Sequence, residues 1–316
     1  MKWRTAAAFL AIGFLWGSAW IPEANVLRSM PPLRAGAIRF AIAAVFAGIV
    51  AVAASLRRRG AAPTKAAALF PVSLVLGATA IALPYALTAW AAGQVSPGAV
   101  AVLFALMPLA SVLLSRDAMS TAIPVLVSGA GGVAFLVAQG VSFSAAQWNG
   151  AALVAFAVVL GAFSLNYAKR SLQKHTLLTS VAIQFAFATL LLGAFSGATE
   201  RSSTAAWDAG AILPLLLLGV AVSAVTLPLM YWLLTRLEAW QAATLQWSAT
   251  LVAVAESAWF LRAKVPLAAW LGAAVIVGAT VWAFRGDARK PEAVTLQITN
   301  HLDGGSEASE SELGSK

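Results

Sequence analysis

The sequence predicts an all-α membrane protein, with ten transmembrane helices arranged as two inverted repeats of five. Three observations carry that expectation. Of the 316 residues, 60% are hydrophobic and 10% charged, with a mean hydropathy of +0.83; a soluble domain keeps roughly a quarter of its residues charged to wet its surface. The apolar residues fall into ten runs separated by short polar connections. Matching residues then recur at a nearly constant offset between the two halves of the chain.

A spanning helix needs about 20 apolar residues, and only helices or closed barrels satisfy their backbone groups in hydrocarbon. The runs lack the polar alternation of barrel strands. Segment 1 (6–27) imitates a secretory leader behind Lys2 and Arg4, but it continues through Trp16, Gly17 and Trp20 to Ile21, long enough to span. Segment 2 (36–55) follows Pro31-Pro32, carries Arg39 and ends at Arg57-Arg58-Arg59. Segment 3 (67–92) contains Pro84, and a tight connection through Gly93 to Pro97 leads into the short segment 4 (97–115) with Pro108. Segment 5 (121–138) is rich in glycine. Segments 6 (148–169), 7 (177–197), 8 (210–235, with Pro228), 9 (240–260, with Glu256) and 10 (266–284) complete the set. Residues 286–316 are polar and acidic and have too little apolar surface to order themselves, so a disordered tail is expected.

The net charge is +9. In a soluble chain that would suggest nucleic acid, but here the cations lie in the connections and alternate by side. Fourteen fall on one side, from Lys2 and Arg4 through Lys169-Arg170 to Arg289-Lys290, against five on the other: Arg28, Arg34, Arg201, Arg262 and Lys264. That asymmetry puts both termini in the cytoplasm, in a bacterial inner membrane, and requires an even number of spans. No nucleic-acid partner is expected; the partners are the bilayer and a small-molecule substrate, and a monomer suffices. There is no cysteine, phosphate loop or metalloprotease or hydrolase motif. No cofactor, metal or enzymatic activity is therefore expected.

The repeat is read from offsets. Gly17 and Arg39 precede Ala162 and Gln184 by 145 residues each, and Ala82-Leu83-Pro84-Tyr85 precedes Thr226-Leu227-Pro228-Leu229 by 144. Gly129, Gly131 and Gly132 of segment 5 have counterparts in Gly272 and Gly278 of segment 10. The expected division is 1–140, 147–285 and the tail. Five helices per half is an odd number, so the second half is upside down relative to the first, as in transporters whose substrate site lies where the repeats meet.

Leu15-Trp16-Gly17-Ser18-Ala19-Trp20, then Pro31-Pro32 and Ile38-Arg39-Phe40-Ala41, resembles the opening of an EamA module of the drug/metabolite transporter superfamily. Pro108 and the glycines of segments 5 and 10 strengthen the resemblance over residues 6–285, although the second copy lacks the Trp-Gly pair and has Gln184 in place of Arg39. Within the superfamily, ten helices in two inverted modules look most like bacterial amino-acid exporters. The resemblance implies a central cavity lined by segments 1, 3, 4, 6, 8 and 9, with segments 5 and 10 outside it.

Ionisable groups inside a membrane are functional candidates, here Glu23, Arg39 and Glu256. They form a gate or a substrate-charge site, or else a structural pair of Arg39 with Glu23 or with Glu256. Tyr85, Thr88, Asn166, Tyr167, Gln184, Tyr231 and Gln246 are polar residues within the spans. They either bind a polar head group or join helix to helix. Trp16, Trp20, Trp90, Trp232 and Trp247 lie deeper than the interfacial Trp3, Trp148, Trp207 and Trp270, and either stack a substrate or pack the core. The substrate-binding expectation is Trp16, Trp20, Tyr85, Trp90, Asn166, Tyr231, Gln246 and Trp247. Pro22, Pro84, Pro108 and Pro228 are expected as hinges, because each removes a backbone hydrogen bond. The function expected is export of aromatic or large neutral amino acids, or similar metabolites, by alternating access and without ion coupling, since no mid-depth carboxylate is visible. The alternative is a multidrug or organic-cation exporter of the same fold.

Overall fold

The structure is a computed structural model describing residues 3–57, 66–91, 94–95, 97–115, 119–137, 147–172, 177–201, 203, 205, 207–260 and 267–285. The tail from 286 lies outside the described residues. Each of the ten expected segments is helical. Segment 1 is α1 (Trp3–Gly17) and α2 (Trp20–Ser29), and segment 2 is α3 (Pro32–Arg57). Segment 3 is α4 (Ala66–Leu76), a π-helical stretch Gly77–Ala82 and α5 (Leu83–Ala91). Segment 4 is α6 (Pro97–Ala105) and α7 (Met107–Ser115), and segment 5 is α8 (Met119–Val137). The second half continues with α9 (Trp148–Ser171) and α10 (Leu177–Thr199). Segment 8 is α11 (Ala209–Leu217), π-helical Leu218–Val225 and α12 (Thr226–Leu234). Segment 9 is α13 (Ala239–Ala243) and α14 (Leu245–Phe260), and segment 10 is α15 (Leu267–Arg285).

Four of the five interruptions, all but the one at Thr244 in segment 9, have a common cause. A proline lacks the amide that would bond the carbonyl four residues back, and its ring crowds that carbonyl. For Pro22, Pro84, Pro108 and Pro228 those carbonyls belong to Ser18, Ala80, Phe104 and Ala224. Ser18 is in the α1–α2 break, Phe104 is two residues before the α6–α7 break, and Ala80 and Ala224 are in the two π-helical stretches. Proline alone is not sufficient, because Pro71, Pro124 and Pro214 lie inside continuous α-helix.

Six stretches are long and apolar enough to cross a bilayer unaided: Trp3–Ser29, Pro32–Arg57, Leu69–Ala91, Trp148–Ser171, Leu177–Thr199 and Gly210–Leu234. Contacts between their ends fix the directions of segments 1, 2, 7, 9 and 10 and agree with strict alternation. Phe9, early in segment 1, packs edge-on to Phe284 at the end of segment 10, 5.1 Å between ring centres. Gln241, opening segment 9, donates Nε2 to the Ala283 carbonyl at 2.9 Å on that same near face. On the far face Ser18 bonds Glu256, and the Leu33 amide opening segment 2 bonds Glu200 Oε1 at 2.9 Å beyond segment 7.

The principal helix pairings recur when segments 1–5 are exchanged for 6–10. α3 lies along α10 and α8 along α15; α1 packs on α14 as α9 does on α6 and α7. The crossing at the centre shows this most directly. A Cβ on Gly77, opening the first π-helical stretch, would sit 2.8 Å from the Gln184 carbonyl oxygen; one on Gly219, in the second, would sit 2.9 Å from that of Arg39. Arg39 and Gln184 are themselves repeat mates. Segments 1, 2, 3, 6, 7 and 8 and the start of segment 9 share the largest buried cluster, and segments 4, 5, 9 and 10 form a second one around Trp247.

Candidate functional site

Two polar clusters, or locks, flank the central crossing, one toward each face of the bundle. On the far face Arg39 Nη1 donates to Glu23 Oε2 at 2.6 Å, Arg39 Nε donates to Ser223 Oγ at 3.0 Å, and the Tyr85 hydroxyl donates to Glu23 Oε1 at 2.7 Å. This lock joins segments 1, 2, 3 and 8. Of the two pairings open in the sequence, the structure makes Arg39–Glu23; Glu256 instead accepts from Ser18. Glu23 is presented on the first turn of α2, directly after the helix break.

The lock toward the near face is neutral. The Tyr231 hydroxyl donates to Gln184 Oε1 at 2.6 Å, Gln184 Nε2 donates to Ser180 Oγ at 2.9 Å, and Ser180 meets Ser73 Oγ at 2.8 Å. Segments 8, 7 and 3 are joined, and Gln184 is the repeat mate of Arg39. Beyond it Lys169 Nζ bonds the Leu237 carbonyl at 2.7 Å and Glu238 Oε2 at 2.9 Å, and the Arg236 guanidinium lies 3.7 Å above the Trp232 ring. Among the described residues these two salt bridges, one per face, are the ion pairs.

The remaining expected residues divide by what they touch. Trp16 Nε1 donates to Thr226 Oγ1 at 3.0 Å, linking segments 1 and 8. Asn166 Nδ2 donates to Ser111 Oγ at 2.9 Å and to the Ser111 carbonyl at 3.1 Å, holding segment 6 to segment 4. Trp247 has no exposed surface; its Nε1 donates to the Ala105 carbonyl at 3.0 Å and its ring lies over Gly129. Trp90 tilts against Phe195 at 5.6 Å, and Trp20 is exposed. Thr88 bonds the Pro84 carbonyl at 2.8 Å. Tyr167 stacks on Phe163 with no partner for its hydroxyl, and the half-buried Gln246 amide has none, among the described residues. On α14, Gln246 and Thr250 lie on the side away from lipid-exposed Ala255, between the strip facing α1 (Ala249, Val252) and the strip carrying Trp247.

Sequence reasoning missed Glu200. Its carboxylate accepts the Leu33 amide at 2.9 Å, the Arg34 amide at 3.0 Å and Ser196 Oγ at 2.8 Å, so segment 7 caps the amide end of α3. Arg34 closes the clasp on the Glu200 and Ser203 carbonyls at 3.1 and 3.0 Å. A carboxylate just past one span, on the face where Pro32 opens another helix, was the available signal. Ser223, Ser180 and Ser73 gave none. No group of three metal-ligating side chains occurs among the described residues.

Ten helical segments in two related halves, six of them long and apolar enough to cross a bilayer unaided, make a multi-pass membrane protein. The family comparison agrees: the model of the EamA-like transporter family matches residues 3–146 and again 148–285. The chain belongs to that family. One solved crystal structure, described simply as that of a protein, matches over 90% of this chain and 97% of its own, with TM-score 0.70 and 18% identity. It shares the fold. No curated protein matches the sequence significantly.

Proposed function

We propose that this transporter exports aromatic or large neutral amino acids, or similar small metabolites, across a bacterial inner membrane by facilitated alternating access. The observation that carries the reading is the pair of locks. Each closes one face, and the two use repeat-related positions, so opening one while the other holds exposes the interior to one side at a time. Within the interior, Trp16, Tyr85, Asn166, Tyr231, Gln246 and Trp247, with the exposed Trp20 and Trp90 toward the far face, offer rings for a side chain and neutral polar groups for a head group. Asn166 and Trp247 hold helix contacts in this state and meet a substrate only as those helices part. The aromatic amino-acid exporter YddG of the same superfamily is similar to this reading.

The cation asymmetry supports cytoplasmic termini, with the near face inside, and the offsets support a division into 1–140 and 147–285. Because the chain has no cysteine, one introduced at Arg201 should react with an impermeant maleimide in intact cells, and one at Arg236 should not. The reverse pattern would overturn the orientation. Counterflow in proteoliposomes with labelled amino acids and one organic cation tests the substrate class. Exchange of the cation alone would favour a multidrug exporter.

A further inference from the structure

We propose that the Glu23–Arg39 pair is the head-group site and that it selects zwitterions. The proposal rests on the amino-acid reading and gives it a mechanism. Each member of the pair has one opposite charge and one hydroxyl: Tyr85 for Glu23 at 2.7 Å, and Ser223 for Arg39 at 3.0 Å. Both side chains are mostly removed from solvent, 14% and 19% exposed. Arg39 Nη2 has no partner among the described residues, so the guanidinium keeps an unused donor edge.

The lock spans segments 1, 2, 3 and 8, so opening the far face pulls Glu23, Arg39 and their hydroxyls apart. Separating opposite charges in a low-dielectric site is strongly unfavourable unless each finds a new partner. A zwitterion supplies both at once, its carboxylate taking Arg39 and its ammonium taking Glu23. A lone amine or a lone acid compensates one charge and strands the other. Selection therefore comes from charge balance at the gate, and the substrate itself completes the open state. Glu256 offers no comparable arrangement, since its partner is the Ser18 hydroxyl and it has no cation among the described residues.

The test uses three competitors with one ring: phenylalanine, phenethylamine and 3-phenylpropionate, each inhibiting phenylalanine counterflow in proteoliposomes. In the wild type, phenylalanine should compete at least about tenfold better than either of the others, the factor that 1.4 kcal/mol of differential binding gives. Glu23→Gln should improve phenylpropionate relative to phenethylamine, and Arg39→Gln should do the opposite. A structural role for the pair would move both competitors together. The double variant E23Q/R39Q, whose amides can still bond each other, should bring all three to within a few-fold. If it is poorly inserted, the opposed shifts of the single variants carry the test. Shifts in the same direction, or a double variant keeping the wild-type order, would overturn the proposal. If the wild type accepts the amine or the acid as readily as phenylalanine, zwitterion selection falls and the carrier reading stands. If it exchanges none of the three, the amino-acid reading falls and this one with it.

Discussion

At the scale of residues, membrane interiors magnify single atoms. A methyl group on Gly129 would enter the ring of Trp247, which has no exposed surface and holds its indole N–H on Ala105. The ring has nowhere to go, so Gly129→Ala should destabilise the protein by about 1–3 kcal/mol. Gly131, two residues on, faces open space, and Gly131→Ala should leave thermal melting in detergent unchanged. Equal effects would mean that the Trp247 seat is loose. Glu200→Ala removes a cap from two amides of α3 and should lower stability by about 0.5–2 kcal/mol, with Glu200→Gln intermediate. Arg39 and Glu23 were legible because a charge inside an apolar run stands out. Glu200 was not, because its carboxylate lies in a connection and its partners are backbone amides 166 and 167 residues away.

At the scale of elements, hydropathy located the spans but not their interiors. Ten runs became ten helical segments, yet segments 1, 4 and 9 are broken and segments 3 and 8 contain π-helical turns. Proline flagged sites of disruption without naming its form, since Pro71 and Pro214 disturb nothing while Pro84 and Pro228 follow wide turns. The difference lies in tertiary contact. Gly77 and Gly219, both in the π-helical stretches, press against the backbone of the opposite repeat. Pro84→Ala and Pro228→Ala restore an amide and favour regular α-helix over the π turn. Each should keep or raise the melting temperature while slowing counterflow several-fold. Unchanged exchange in both would show that the π-helical turns are passive. Gly77→Ala and Gly219→Ala should each be harmful by about 1–3 kcal/mol, because a carbonyl of a packed helix cannot step aside. Gly193→Ala, which meets open space, is the control.

For the whole molecule, repeat-related positions carry different chemistry. The far lock is an ion pair with two hydroxyls, whereas the near lock is an amide, a phenol and two serines. The sequence held the substitution of Gln184 for Arg39, but not its meaning, because the partners come from segments distant in the chain. Parting an ion pair shielded from water leaves uncompensated charge and costs about 3–5 kcal/mol, more than breaking a neutral hydrogen bond, which contributes about 0.5–1.5 kcal/mol. The two faces should therefore open with unequal ease, the near one more readily in the absence of substrate. A cysteine at Gln246, on the half-buried side of α14, can report this, because the chain has no other thiol. With an impermeant maleimide it should label faster in inside-out than in right-side-out vesicles. E23Q/R39Q should raise labelling from the far side, and Y231F/Q184L should raise it from the near side. A near-side gain of about two- to tenfold corresponds to one or two neutral bonds lost. If either variant raised labelling equally from both sides, the locks would be ordinary packing contacts rather than opposed gates. Opposite shifts would show that exchanging one guanidinium for one amide between two copies of a fold sets the carrier's resting direction.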